Sequence, residues 1–274
     1  MFVCFSSANL NKSYFDNRQD RYLKINNSPN LCQFFIDTIE TVAQHSFQVK
    51  PAIDEPMFMG AHHPFEGDNS KYRVDAEQSL SLLFSTYRTK YPRPSSLSDD
   101  DVLVVPLIQM GMFNINYDRD FNIYLYSNLP ENSSLYLATS YFNMTSEYER
   151  EIIDNKRDDT TICLLTASPE ANGFYDSRGI SRYIPAGYTE NEKAFVEKAE
   201  KKCSDSEQIQ MFEYYRPQWT YHAKGLWMYE RDNDYPTLTC IGSPNFGLIK
   251  KKKSENVFCS FHIFDLFRSS FDST

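Results

Sequence analysis

The sequence predicts an α/β layered fold, and three observations carry that reading. Apolar runs of strand length alternate with stretches whose apolar residues recur at helical spacing. An eight-residue pattern occurs twice: Val3-Cys4-Phe5-Ser6-Ser7-Ala8-Asn9-Leu10 aligns with Thr239-Cys240-Ile241-Gly242-Ser243-Pro244-Asn245-Phe246. Each copy is an apolar strand running into a small-Ser-x-Asn-apolar turn, the form a duplicated module takes. The chain has 274 residues, 41% of them hydrophobic, and at this length folding removes roughly 75% of the unfolded chain's surface from water.

Phe2 to Phe5, ended by Ser6-Ser7, reads as a fully buried strand. A central strand with nothing before it is an unusual opening, so part of a first domain is expected to be missing ahead of it. Leu31, Phe34, Phe35, Thr38, Ile39 and Val42 recur at helical spacing, with Asn30 placed as the cap. Residues 50–72, rich in Pro, Gly, His and Asp, read as a loop or lid, and Ala76 to Tyr87 as a second helix. The Pro- and Asp-rich stretch 92–101 is a linker candidate. Beyond it, Val102–Ile108, Ser134–Thr139, Thr161–Thr166, Trp219–Met228 and Thr237–Ile241 read as strands, and Glu147–Lys156 and Asn191–Lys202 as surface helices. The expected organisation is therefore 1–91, a linker 92–101, 102–247, and a basic and aromatic tail 248–274.

Composition narrows the function. Lys and Arg number 28 against 37 Asp and Glu, a net charge of −9, the opposite sign from that expected of a phosphate-neutralising nucleic-acid binder. Six cysteines are scattered with no two within four residues, which argues against zinc-ribbon and dithiol motifs and for a reduced compartment. No apolar run approaches the ~20 residues of a membrane span, and no targeting segment is legible.

Of the five histidines, His62 and His63 lie in a polar loop, His45 ends the first helix, where a cation suits the macrodipole, and His262 lies in the tail. His222 is different. In Trp219-Thr220-Tyr221-His222-Ala223-Lys224-Gly225-Leu226-Trp227, a strand would send His222 and Lys224 to one face. A titratable nitrogen and a cation about 6–7 Å apart along the strand can meet one anionic group such as a phosphate. Ser243 and Asn245, after the next strand, can donate to its oxygens. A core histidine beside a snorkelling lysine explains the same spacing.

His222-Ala223-Lys224 followed by Gly242-Ser243-Pro244-Asn245 resembles the second H-x-K half-site of the phospholipase D superfamily. A wider set resembles the eukaryotic phosphatidylglycerophosphate synthases: Ser7-Ala8-Asn9-Leu10, Tyr14-Phe15, Asn17 through Tyr22, Tyr141-Phe142-Asn143, Ala167 through Phe174, and Trp219 through Trp227. The resemblance implies a phospholipase D-like α/β/α sandwich of two pseudo-twofold domains, the first (1–91) incomplete and the second (102–247) bearing the half-site. It implies phosphatidyl transfer from CDP-diacylglycerol to glycerol 3-phosphate through a phosphohistidine, in mitochondria, at a membrane surface. It makes His222 and Lys224 catalytic and gives Ser243, Asn245, Ser7 and Asn9 to the phosphate. It implies no metal and no organic cofactor; the net charge of −9 is what argues against a nucleic-acid partner.

Two departures matter. The family's first H-x-K belongs ahead of Ser7-x-Asn9 and is not in this sequence, so the chain alone is expected not to turn over. After Phe246-Gly247 the sequence leaves the family pattern, Glu255 is a weak candidate for a supporting acid, and Tyr229 stands where many superfamily members carry Asp. Two rival readings stay open: a phospholipase D-type phosphodiesterase, and a truncated or non-catalytic form that binds lipid headgroups. Lys250–Lys253 and the aromatics after them read either as a membrane contact or as an unpacked tail.

Overall fold

The computed structural model describes residues 1–9, 11–51, 55–96, 98, 101–203, 208–231 and 233–246, and the backbone of 257–264. The α/β expectation holds. The chain opens with β1 (Phe2–Ser6), β2 (Arg18–Gln19), β3 (Tyr22–Asn26), α1 (Pro29–Gln44), β4 (Phe47–Gln48), β5 (Met57–Phe58) and α2 (Asn69–Lys90). It continues with β6 (Leu103–Met110), β7 (Ile115–Asn116), α3 (Tyr117–Ser127), β8 (Ser134–Ala138), α4 (Ser146–Glu149), β9 (Thr161–Ala167) and α5 (Ile184–Lys202). The last strands are β10 (Ile209–Tyr214), β11 (Thr220–Tyr221), β12 (Gly225–Tyr229), β13 (Leu238–Gly242) and β14 (Val257–Phe264).

One eight-stranded sheet, ordered β10-β9-β8-β12-β13-β14-β6-β7, organises the described residues. The β10, β9 and β8 strands are parallel and the remaining neighbours antiparallel. Alternation decides its faces. Leu135, Leu137, Ile162, Leu164, Leu226 and Met228 point to one side and pack on Tyr126 of α3, Tyr148 of α4 and Phe195 of α5. On the other face Tyr136, Phe212, Trp227 and Tyr229 line a cleft of about 940 Å³. Further along, Ile108 and Met110 of β6 pack against Phe34 of α1 and Ala76, Leu80 and Phe84 of α2.

Several elements differ from the sequence reading for physical reasons. The Phe2–Phe5 run is not fully buried: β1 pairs with β3 in a two-stranded ribbon, and Phe2 is 59% exposed. Only alternate residues turn inward, Phe5 meeting Phe35 of α1 at 5.5 Å between ring centroids. Pro29 takes the first helical position of α1, so Ser28 rather than Asn30 is the N-cap. α2 begins seven residues ahead of the expected start, capped by Asp68, which accepts from Ser70 N, and the expected loop 50–72 contains β5, which pairs with β4 just ahead of the loop. The helix expected at Glu147–Lys156 is α4 followed by a wider turn, Arg150–Asp154, which buries Ile152 and Ile153. His45 is the C-cap of α1, but burial holds it below the ordinary histidine range against the pull of Asp75, so it is not the cation that the macrodipole argument wanted.

Of the tail, Val257–Phe264 forms β14 between β13 and β6; Lys250–Lys253 and Glu255 lie outside the described residues. Tyr229 ends β12, its ring edge-on to Tyr136 at 5.5 Å. No helix among the described residues is long and apolar enough to cross a membrane. Leu164, fully buried at the centre of the parallel strands, gives the sheet a direct test. Leu164→Ala is expected to lower unfolding free energy by about 2–5 kcal/mol, read as a drop in urea midpoint with unchanged slope.

Candidate active site

The site is assembled by two short parallel segments far apart in sequence. In β2 and β11, Thr220 N donates to Asn17 O at 3.0 Å and His222 N to Gln19 O at 2.8 Å, bringing Asp20 beside the His222 ring. The strand expected over Trp219–Met228 is interrupted here: His222, Ala223 and Lys224 lie between β11 and β12. It resumes at Gly225, where a Cβ would stand 2.4 Å from Arg21 Nη2 and 2.8 Å from Cys240 O. Only glycine leaves Arg21 room to reach Lys224 O, at 3.4 Å, and to lie over the Trp227 ring at 3.7 Å.

His222 Nδ1 stands 2.9 Å from Asp20 Oδ2, and the side chains are 12% and 1% exposed. The other carboxylate oxygen accepts from Ser7 Oγ at 2.5 Å and from Arg21 N at 2.8 Å. A carboxylate accepts only, so Nδ1 carries a proton and Nε2 of the neutral ring carries the lone pair. Tyr14 Oη lies 3.5 Å from Nε2 and accepts from Asn9 Nδ2 at 3.1 Å, while the Arg18 guanidinium covers the Tyr14 ring at 4.4 Å.

Lys224 is 3% exposed. Its Nζ donates to His222 O at 2.7 Å and to Ser140 Oγ at 2.8 Å, and Ser140 Oγ donates to Asn245 Oδ1 at 3.2 Å. Tyr141 forms a wall common to both residues, 6.0 Å from the His222 ring between centroids and 5.8 Å from Lys224 Nζ. Behind it stacks Tyr188 of α5. The arrangement sets an unprotonated nitrogen and a buried lysine against the same Tyr141 ring; a nitrogen lone pair and a cation are the groups that attack on, or proton transfer at, a phosphorus centre uses.

The residues singled out from sequence come together, most of them through intermediaries. Ser7 Oγ donates directly to His222 O at 3.3 Å as well as acting through Asp20, Asn9 acts through Tyr14, and Asn245 reaches Lys224 through Ser140. Ser243 is half-buried in the turn directly after β13. The repeated strand-to-turn pattern thus closes on the His222 segment from both sides. Sequence reasoning gave no role to Asp20, Arg18, Arg21, Tyr14, Ser140 or Tyr141. The charge-dense run Asn17 to Tyr22 was visible, but nothing local pairs it with residues two hundred positions away. His62 bonds the Asp75 carboxylate and His63 packs edge-on to Phe47 and Phe58.

Electrostatics follow from burial. Burial alone would raise Asp20, but hydrogen bonds from His222, Ser7 and Arg21 outweigh it and hold the carboxyl below its usual range. Burial and the cations Lys224 and Arg18 push His222 down against the pull of Asp20. Burial, with Arg18, lowers Lys224 to about 7 despite Asp20.

No family model matches the sequence. The chain is 34% identical over 267 residues to the mitochondrial CDP-diacylglycerol–glycerol-3-phosphate 3-phosphatidyltransferase of Bos taurus, a match covering 89% of this chain and 47% of that one. It is 33% identical to the Homo sapiens protein of that name, with the same coverage. It is also 33% identical to a probable CDP-diacylglycerol–glycerol-3-phosphate 3-phosphatidyltransferase of Dictyostelium discoideum, covering 89% and 44%. The chain spans about half the length of the curated relatives it matches. Among solved structures, phosphatidylserine synthase of Haemophilus influenzae Rd KW20 superposes with a TM-score of 0.62 at 18% identity, covering 97% of this chain and 56% of that one; the fold is shared.

Lys224 sets a pH dependence. Near pH 7 the empty site begins to lose the lysine proton, and a bound dianion favours the charged form. Above about pH 7, binding therefore takes up a proton and affinity falls as pH rises, by up to about tenfold per unit. Sulfate, a dianion throughout this range, is expected to bind progressively more weakly from pH 7 to 9 by calorimetry, and Lys224→Met to flatten the profile. A flat wild-type profile would contradict the assignment.

Proposed function

We propose that the chain belongs with the CDP-diacylglycerol–glycerol-3-phosphate 3-phosphatidyltransferases to which it is 33–34% identical, and that His222 and Lys224 form one half-site of a phosphatidyl transfer from CDP-diacylglycerol to glycerol 3-phosphate. The observation that carries the reading is the placement of His222, with Nδ1 held by buried Asp20, against the same Tyr141 ring as buried Lys224.

The first step forms a bond from a histidine nitrogen to the phosphatidyl phosphorus and breaks the bond to CMP, which leaves with the electron pair. In the second, the primary hydroxyl of glycerol 3-phosphate attacks phosphorus, the nitrogen recovers its pair, and the hydroxyl proton passes to a base. Asp20 fits either role for His222: it holds the reactive tautomer and stabilises the imidazolium formed on attack or needed for proton donation. Protonated Lys224 neutralises the non-bridging oxygens; Asn245 orients Ser140, and Ser140 the lysine. Ser243 is a direct donor in this reading, and Asn9 acts by aiming Tyr14. Neither chemistry nor charge balance calls for a metal or an organic cofactor. The setting is a membrane surface, mitochondrial as in the relatives' names, with residues 1–91 and 102–247 as two units joined by 92–101.

A second reading, a non-catalytic headgroup binder, is favoured by one observation: the sequence holds a single H-x-K. For that reason the chain alone is expected to bind CDP-diacylglycerol without turnover. In a preparation that converts labelled glycerol 3-phosphate to lipid, His222→Ala is expected to cost at least ~10²-fold. Retained activity would place the chemistry elsewhere, and phosphatidic acid as the product would favour the phosphodiesterase.

A further inference from the structure

A cleft of about 590 Å³ lies between α1, α2 and β6, and it shares no residue with the surroundings of His222. We propose that it binds one long acyl chain whose anionic head rests against Arg88 and Arg93. Its volume falls within the ~300–1,000 Å³ typical of ligand sites. The walls are apolar, built from Leu31 and Phe34 of α1, Phe84 and Tyr87 of α2, and Leu103 and Val104 of β6. Val104 belongs to the inward face of β6 because Ile108, four residues on, packs against Phe34 and Phe84.

Charge defines the occupant. Arg88 and Arg93 border the cleft and are exposed. The described residues give neither arginine a carboxylate partner; Arg88 has the ring of Tyr117 at 5.8 Å. Asp120, also on the border, is engaged by Arg119 at 2.8 Å. The first turn of the sixteen-residue α1 opens on the same rim, where Ser28 and Asn30 stand, and Ser28 makes no side-chain capping bond. The positive end of the helix adds to the arginines. β14 takes one edge of β6 along its length and β7 meets the other edge only at Gln109 and Met110, so the charge at the mouth, not a lack of strand edge, is what selects the occupant. An apolar trough with a fixed positive mouth selects an amphiphile: a hydrocarbon chain buries in the trough and a phosphate or carboxylate meets the guanidinium groups. The proposal reaches beyond the transfer reaction, since it assigns a lipid site in a part of the fold remote from the reacting nitrogen.

The test is binding of oleoyl lysophosphatidate to the whole chain, followed by calorimetry below the lipid's micellar concentration. Saturable binding is expected, with monoolein, the same chain without the charge, at least about tenfold weaker, and glycerol 3-phosphate unable to compete. Arg88→Gln/Arg93→Gln, both at exposed positions, is expected to weaken lysophosphatidate at least about tenfold while leaving circular dichroism unchanged. Val104→Trp is expected to abolish binding by filling the trough, and should it fail to fold the arginine pair decides alone. His222→Ala is expected to bind the lipid as the parent does, which separates this site from the transfer reading. Equal binding of monoolein, or binding indifferent to both arginines, would overturn the proposal. So would loss of binding with His222→Ala alone.

Discussion

A carboxylate almost wholly removed from water, Asp20, lies 2.9 Å from His222 Nδ1, and the rest of the site is arranged to keep that contact satisfied. An unpaired carboxylate at this depth is strongly disfavoured. Ser7 Oγ and Arg21 N occupy its second oxygen, and Arg21 is held by Trp227 and by the space at Gly225. The interactions form a chain in which each member fixes the next: β1 delivers Ser7, Ser7 and Arg21 fix Asp20, Asp20 fixes the imidazole. Fully satisfied buried networks are rigid in this way because any gap leaves a polar group unpaired in a low-dielectric interior.

The large sheet plays the supporting part. It supplies β12 and β13 to carry the ends of the His222 segment and the turn after β13, while helices α3 to α5 cover one face and give the strands a fixed base. Lys224 sits where the sheet and the small β2–β11 ladder meet, so its ammonium is desolvated before any ligand arrives. Burial makes such a lysine costly to keep charged, and an anion beside it would offset that cost.

The alternation of strands and helices was legible because periodicity reports which face of each element is buried. His222 and Lys224 were legible because a two-residue spacing and two chemically distinct side chains stand out from an apolar run. Ser7-x-Asn9 and Ser243-x-Asn245 were legible as a repeat. Asp20 was not, for a physical reason: its role comes from a two-residue ladder between Arg18–Gln19 and Thr220–Tyr221, too short and too non-local to leave a pattern. The break at Gly225 was hidden because glycine within an apolar run reads as strand until its neighbour, Arg21, is known. Phe2 to Phe5 misled because four apolar residues cannot distinguish a central strand from a ribbon with one face open.

The central claim is that Asp20 fixes His222 as the Nδ1–H tautomer with an unprotonated Nε2 facing Tyr14 Oη. Nitrogen-15 NMR of the histidine-labelled protein at pH 8 tests it most directly. The account predicts that His222 shows a protonated Nδ1 and an unprotonated Nε2, and that Asp20→Ala shifts this balance. A protonated Nε2 in the parent protein, or a tautomer indifferent to Asp20, would contradict it.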